Sequence, residues 1–465
     1  MADLRPLLGA AVGPGNVLAG GPATADYTHD EALGVPPAEP AFVVRPGSTA
    51  EVAAVLRLAS ERKLQVTARG AGTGMSGAAI PGQGGIVIAF ERMNRVLDVD
   101  RANGVAVVQP GVTLAALDDA VAAEGLVYPV FPGEMGATVG GTIATNAGGM
   151  RAVKYGVTRN HVLGLEAVLA SGDVLRTGGK HVKVSSGYDL TQLIIGSEGT
   201  LALVTEAIVR LYPRLPLQAT VLAPFASLEQ VTAAVQRVVA SGIGPLICEY
   251  VDALTMAAIT ANEDIDLGIP AGVRQPALAY LVVMLEERTA ERLEEAVAEL
   301  ADQLTGLGAP DVYLPAAPAA RRLVEAREKA FWAAKNAGAQ EIVDAVVPRA
   351  AMAGFFDDVT RAAAVSVGGL VAGCGHAGDG NVHLAVFQPD PAAREALLRE
   401  IFAAAVARGG AISGEHGIGV AKKPYFLELA DPVVVALMRR VKQAFDPQGI
   451  LGPGVLLDDG GGGTQ

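Results

Sequence analysis

The sequence predicts an α+β protein in two parts. The N-terminal part is built of strands joined by glycine-rich loops, and the C-terminal part carries helices on one face of a sheet. Three observations predict this. The 57 glycines among 465 residues concentrate in four places, 69–85, 133–149, 373–380 and 414–419. Strand and turn signals fill residues 41–211 and stop at a Pro213-Arg214-Leu215-Pro216 boundary. Beyond it, apolar strands at 220–222 and 277–285 alternate with amphipathic helices at 228–240 and 290–307.

Taken in order, Ser48 and Thr49 can cap a helix through Val52, Val55 and Leu56. Residues 64–68 and 86–90 read as strands on either side of the first glycine cluster. Residues 96–108 read as a hairpin turning at Asn103-Gly104, and Thr113 caps a helix that ends near Gly125. Residues 165–170 and 174–177 flank a Ser171-Gly172-Asp173 turn, and 201–211 closes this half as a strand. Five segments follow: an extension at 1–40, a first domain at 41–215, a second at 216–424, a segment at 425–458 that returns to the first, and a disordered glycine tail at 459–465.

Composition excludes several classes. A chain of this length exceeds a single ordinary core. With 51% hydrophobic and 18% charged residues it folds. A net charge of −13 and the absence of a Lys/Arg run argue against nucleic acid. Two cysteines, Cys248 and Cys374, exclude a disulfide scaffold and a cysteine-ligated iron–sulfur cluster within this chain. A reducing compartment, the cytoplasm, is expected. Residues 6–25 lack the basic start and unbroken apolar centre of a signal peptide, and 362–378 is too glycine-rich for a transmembrane span. A peripheral membrane contact is left open.

Residues 69–77 read Arg-Gly-Ala-Gly-Thr-Gly-Met-Ser-Gly. Successive glycines let backbone N–H groups converge on phosphate oxygens, with Arg69 adding charge and Ser76 a hydroxyl. Gly72, Gly74 and Gly77 match G-x-G-x-x-G, but that fingerprint needs a helix next, and here Pro81, Gly82, Gly84, Gly85 and a strand follow. The loop is therefore read as a phosphate cradle between strands. In the second cluster, Gly140-Gly141 and Gly148-Gly149 bracket Thr142, Thr145 and Asn146, small residues that let amides and hydroxyls reach a flat ring system. With Gly196-Ser197-Glu198-Gly199-Thr200, three such clusters in one half point to a long extended cofactor.

Three of the six histidines lie in GCGHAGDGNVHL and SGEHGIG. His376, His383 and the Glu415-His416 pair offer two histidines and a carboxylate, a donor set for a divalent metal with positions open to substrate oxygens. Asp379 is read as shaping its loop, and Trp332 as core.

On the opening helix with Pro46 and Val52, RGAGTGMSG, FPGEMGATVGGTIATNAGG and GSEGTLALVT, residues 41–211 resemble the FAD-binding domain of the p-cresol methylhydroxylase and vanillyl-alcohol oxidase superfamily. Residues 218–455 resemble its C-terminal FAD-linked oxidase (cap) domain, the nearest subgroup being glycolate oxidase D subunits, D-lactate dehydrogenases and D-2-hydroxyglutarate dehydrogenases. The resemblance implies a two-subdomain FAD-binding domain with an α+β cap domain. It implies non-covalent FAD, since Met75 and Ser76 stand where some relatives attach it through histidine. Implied FAD contacts are Arg69, Gly70, Ala71, Gly72, Thr73, Gly74, Met75 and Ser76. Pro132, Gly141, Thr142, Thr145, Asn146, Gly148, Gly149 and Gly156 follow, then Glu198, Gly199 and Val204.

By the same resemblance His376, His383 and Glu415 ligate a metal, zinc first among the expectations. His416 is the catalytic base, Asn381 lies near substrate and flavin, and Arg327 holds the substrate carboxylate. The expected reaction is oxidation of a small D-2-hydroxy acid, of glycolate or D-lactate type, to the 2-keto acid. Electrons then pass to an external acceptor: a quinone, an electron-transfer flavoprotein, an iron–sulfur subunit or oxygen. A homodimer is among the expected assemblies. The alternatives are an electron-relay subunit of a glycolate oxidase complex and a metal-dependent hydrolase. The sequence departs from the pattern at Gly452, where relatives carry an asparagine, and at Ala385 and Ile342, where some carry polar residues.

Overall fold

The computed structural model describes residues 4–262 and 265–458. The expected glycine tail lies outside the described residues. Strands β1 (Val17–Ala19), β2 (Phe42–Val44), β3 (Val66–Arg69) and β4 (Ile86–Ala89) form a sheet in the order β1-β2-β4-β3. Strands β2, β4 and β3 run parallel, and β1 is antiparallel to β2. Their near-continuous burial is what parallel strands covered on both faces require. The crossover from β2 to β3 is the helix Thr49–Arg62, capped by the Ser48 hydroxyl, which accepts from the Glu51 N–H. The first forty residues, read as an extension, are not set apart. The helix Leu4–Val12 puts Leu4, Leu8 and Val12 into this core, and β1 is a strand of this sheet.

Next come β5 (Val96–Asp100), β6 (Val105–Val108), β7 (Leu126–Val127), β8 (Val162–Val168), β9 (Val174–Gly178), β10 (Leu203–Arg210) and β11 (Tyr212–Pro213). Five of them make an antiparallel sheet in the order β5-β6-β10-β8-β9, and β7 and β11 form a ribbon. The two expected hairpins are β5–β6 and β8–β9.

The C-terminal half contains β12 (Leu217–Phe225), β13 (Ile247–Asp252), β14 (Ala279–Glu287), β15 (Glu341–Val346), β16 (Leu370–Gly375) and β17 (Asn381–Phe387). They form one antiparallel sheet in the order β12-β14-β13-β16-β17-β15. Helices were expected on one face only, and the structure covers both. On one face the helices Leu228–Ala240 and Ala290–Gly306 pack against Val221, Ala223, Phe225, Leu281 and Val283, and Met352–Val365 and Pro391–Ala407 extend the same core over β16 and β15. The alternate residues Leu222, Tyr280 and Val282 face helices Ala253–Asn262 and Ala317–Glu328. Successive side chains point to opposite faces, so the unbroken apolar run of β14 requires cover on both sides.

After the helix Pro432–Phe445 the chain returns to the first sheet. The Val66 N–H donates to the Ile450 carbonyl at 2.7 Å, and the Gly452 N–H donates to the Val66 carbonyl at 2.9 Å. Buried Asp446 accepts from the Ile450 and Leu451 amides and from Lys442, which also donates to the Thr200 carbonyl. Among the described residues, no helix is long and apolar enough to cross a membrane. Leu451 is fully buried in the first core. Leu451→Ala is expected to destabilise the protein by about 2–5 kcal/mol, read as a lower urea midpoint with an unchanged slope.

Candidate active site

The glycines after β3 lead into an irregular loop and then β4, with no helix between them. This loop and the short helix Val139–Thr145 wall a cleft enclosing about 1350 Å³ out to open solvent. Thr138 caps that helix, its hydroxyl accepting from the Gly141 N–H. The glycines have separate reasons. A Cβ on Gly70 would lie 2.2 Å from Thr138 Oγ1, whereas one on Gly74 would meet only Asp30 Oδ2, at 3.6 Å. The loop therefore shows bare backbone to the cleft at Gly74, as a cofactor cradle must.

Of the expected cofactor residues, Arg69 through Ser76, Pro132, Gly141, Thr142, Thr145, Glu198, Gly199 and Val204 line this cleft. Asn146, Gly148, Gly149 and Gly156 do not. Asn146 ends the helix with φ 55°. A Cβ on Gly149 would lie 1.8 Å from the Phe131 carbonyl oxygen, and one on Gly156 would lie 2.4 Å from Asn160 Oδ1. These glycines allow close backbone and side-chain approach. Two expected polar contacts are also committed elsewhere. The Arg69 guanidinium donates to the carbonyls of Asp26, at 2.7 Å, and His29, at 2.6 Å. The Ser76 hydroxyl donates to the His416 carbonyl at 3.0 Å.

Beyond the cleft, β16, β17 and the loop 413–419 bring His376, His383 and Glu415 together. Glu415 Oε1 lies 2.9 Å from His376 Nε2 and 3.2 Å from His383 Nε2. Gly148 makes room for this carboxylate, since a Cβ there would lie 2.8 Å from Glu415 Oε2. Burial alone would lower the His376 pKa, but Glu249 and Glu415 hold it up to about 10. Burial would raise that of Glu415, but His376 and His383 hold it well below the usual carboxylate range. Two imidazoles and a carboxylate converging in a field that favours positive charge fit a divalent metal.

Two acids that the sequence reading did not single out hold this cluster. Glu249 on β13 is buried, with Oε1 2.7 Å from His376 Nδ1 and Oε2 2.7 Å from Arg327 Nη2. Asp344 on β15 is fully buried, and its Oδ2 accepts from the Ser413 hydroxyl and from the N–H groups of Gly414, Glu415 and His416 at 2.8–3.0 Å. Asp344, His383 and His416 also lie close enough to share an ion. The donors already crowding Asp344 make it a loop anchor rather than a ligand. The available signal was an isolated acid in an apolar strand, in ICEYV and EIVDAVV.

His416 stacks on His383, with ring centroids 5.0 Å apart and planes 9° apart. Its Nδ1 lies 3.9 Å from Asp344 Oδ2. Burial pushes its pKa below the usual histidine range, with Asp344 opposing. Asn381 lines neither cavity, because its amide donates to Asp344 Oδ1 at 2.8 Å and to the Ala345 carbonyl at 3.0 Å. Trp332, read as core, is 38% exposed, and the Lys335 ammonium lies 5.0 Å from its ring. Gly452 has φ 56°, and a Cβ there would lie 2.9 Å from Thr200 Cγ2, so a side chain would crowd Thr200.

A second cavity of about 690 Å³ opens beside the histidines, with Arg327, Ile342, Cys374 and Ala385 in its wall. Although Arg327 Nη2 is near Glu249, the pair is not aligned for a hydrogen bond, and neither Nη2 nor Nε has a hydrogen-bond partner. This buried guanidinium can receive a ligand carboxylate. Met75, Pro132, Glu415 and His416 line both cavities. The cofactor cleft and the histidine cluster therefore meet at these four residues.

This is the arrangement of a flavoprotein oxidoreductase. Residues 40–178 match the family described as FAD binding domain, and residues 215–456 match FAD linked oxidases, C-terminal domain. The chain belongs to the FAD-linked oxidases. It is 56% identical over 459 residues to an uncharacterized FAD-linked oxidoreductase of Mycobacterium tuberculosis, covering 99% of this chain and 100% of that one. It is 36% identical over 464 residues to a D-lactate dehydrogenase of Anaerostipes hadrus, covering 96% and 95%. To the glycolate oxidase subunit GlcD of Bacillus subtilis it is 37% identical over 429 residues, covering 90% and 89%. Its fold matches that of p-cresol methylhydroxylase with a TM-score of 0.79 at 19% identity, covering 98% and 97%.

Two tests follow from the geometry. Gly74→Val adds a side chain that meets only the Asp30 carboxylate, in ordinary contact, before the cleft, so the purified protein is expected to keep its circular dichroism and lose its flavin absorbance. Glu249→Gln releases both His376 and Arg327, and is expected to weaken divalent-metal binding about 10–100-fold, measured by metal titration of chelator-treated protein.

Proposed function

We propose that the chain oxidises a D-2-hydroxy acid to the 2-keto acid, using FAD and a divalent metal, zinc first among the choices. The observation that carries this reading is the junction of the two cavities at Met75, Pro132, Glu415 and His416. There a substrate can touch the cofactor cleft, the histidine cluster and Arg327 together. The backbone of the loop at 70–76 and the wall at 140–145 would hold the FAD; when bound, it supplies the hydride acceptor. His376, His383 and Glu415 would hold the metal, which would supply Lewis-acid polarisation of the 2-hydroxyl. Arg327 binds the substrate carboxylate by charge-assisted hydrogen bonds. His416, neutral and oriented by its stacking on His383, takes the hydroxyl proton on Nε2, the ring nitrogen not directed at Asp344.

D-lactate dehydrogenase and glycolate oxidase among the relatives support this substrate class. With two cysteines, the chain cannot supply a four-cysteine iron–sulfur cluster of its own, so electrons leave to an external acceptor. Anaerobic addition of D-lactate or glycolate to the metal-replete protein is expected to bleach the flavin. His416→Ala is expected to keep FAD and slow bleaching by about 10²–10⁴-fold. Unchanged bleaching by that variant removes His416 as the base.

A further inference from the structure

The second cavity has two chemically different ends, and the strand register sets their spacing. On β17, His383 stands opposite Asp344 of β15 and Cys374 of β16. Two residues along, Ala385 stands opposite Ile342 and Ala372. Residues two apart on a strand share a face, so the rows lie about 7 Å apart on one side of the sheet. His383, Cys374, Ile342, Ala372 and Ala385 all line the cavity. Apart from Glu328, the charged lining groups gather at the first row: Arg327 is joined through Glu249 to His376, and Glu415 touches both histidines. The second row is wholly aliphatic. Phe331 and Ala334, one turn apart on the helix Ala330–Asn336, add a further apolar wall.

We propose that the substrate side chain extends from the histidine row onto the Ile342–Ala385–Ala372 row. The preferred substrate is then a D-2-hydroxy acid with an apolar side chain of about three to five carbons, enough to span the rows. This rests on the hydroxy-acid reading above. Each buried methylene is worth about four-fold in binding. A second carboxylate at that row meets no cation among the cavity's lining residues, where Arg327 is the one guanidinium and Glu328 adds a carboxyl. Glycolate leaves the row empty, and a diacid buries an unpaired charge.

The test is anaerobic stopped-flow reduction of the metal-replete holoprotein by glycolate, D-lactate, D-2-hydroxyisocaproate and D-2-hydroxyglutarate. In each half-reaction the substrate Cα–H bond breaks, its hydride reduces FAD, and the hydroxyl proton goes to His416 as the C=O bond forms. The expected rate constant divided by Kd for hydroxyisocaproate, with three more side-chain carbons, exceeds that for lactate by about 60-fold. Glycolate falls below lactate, and hydroxyglutarate reacts least. Glycolate or hydroxyglutarate in front overturns the assignment of the side chain alone. Reduction by none of the four overturns the hydroxy-acid reading with it. Ala385→Leu fills the second row and is expected to lower the isocaproate-to-lactate ratio about ten-fold or more. Ile342→Ala opens that row and is expected to move the optimum to longer chains. Flavin content reports that each variant has folded, and an unchanged chain-length profile in both overturns the proposal.

Discussion

The carboxylate of Asp344 sits at the bottom of the site with no exposed surface, and one of its oxygens gathers a hydroxyl and three consecutive backbone N–H groups from residues 413–416. Burying a carboxylate in this way is costly unless donors surround it. Burial would raise its pKa, but His416, Lys422 and His383 hold it well below the usual carboxylate range. The charge is what keeps the loop in place, because only an acceptor of that strength can draw successive amides inward. Glu415 and His416 project from this bend. Asn381, from β17, satisfies the other oxygen of Asp344. The placement of Glu415 and His416 therefore descends from one buried acid on β15.

The same loop is gripped from the other half of the molecule. Glu198 accepts from the Ile418 and Gly419 amides at 2.8 and 2.7 Å. The Ser76 carbonyl accepts from the Val420 and Ala421 amides. Such contact needs glycine, since a Cβ on Gly419 would lie 1.9 Å from the Ser76 carbonyl oxygen and one on Gly417 would lie 2.9 Å from Glu198 Cδ. Burial pushes the Glu198 carboxyl up to about 7, against the pull of these amides and Lys422. Gly417 and Gly419 thus serve the approach of two halves of the protein, while Glu415 and His416 between them face the cavities.

Much of this was legible in the sequence. Glycine clusters located the cofactor cleft, because bare backbone at a ligand is written in residue type. The spacing of His376, His383 and Glu415 located the second cluster, because these side chains rarely gather in glycine-rich loops without a task. Local signals also placed Ser48, Thr113 and the two hairpins. Pairwise geometry was not legible. Arg69 looked like a phosphate ligand, yet its guanidinium ties down residues 26–29. Asn381 looked like a substrate contact, yet it serves Asp344. Glu249 and Asp344 were hidden because one acid in an apolar strand shows its meaning only when neighbouring strands are known. The two-sided cover of the C-terminal sheet was missed for a related reason. A continuous apolar run does not say which elements will cover it.

The loop at 413–421 belongs to neither half, and this has an evolutionary consequence. Its shape is specified by Asp344 on one side and by Glu198 and Ser76 on the other, so a substitution at any of these is felt in both halves at once. Drift in the N-terminal half is constrained by contacts with the C-terminal half, and the reverse holds. Recombination that exchanged one half for that of a distant relative would inherit a loop fitted to the wrong neighbour. The two halves are therefore expected to descend as a pair, while Ile342, Ala372 and Ala385, which line the second cavity and lie outside that loop, are freer to change.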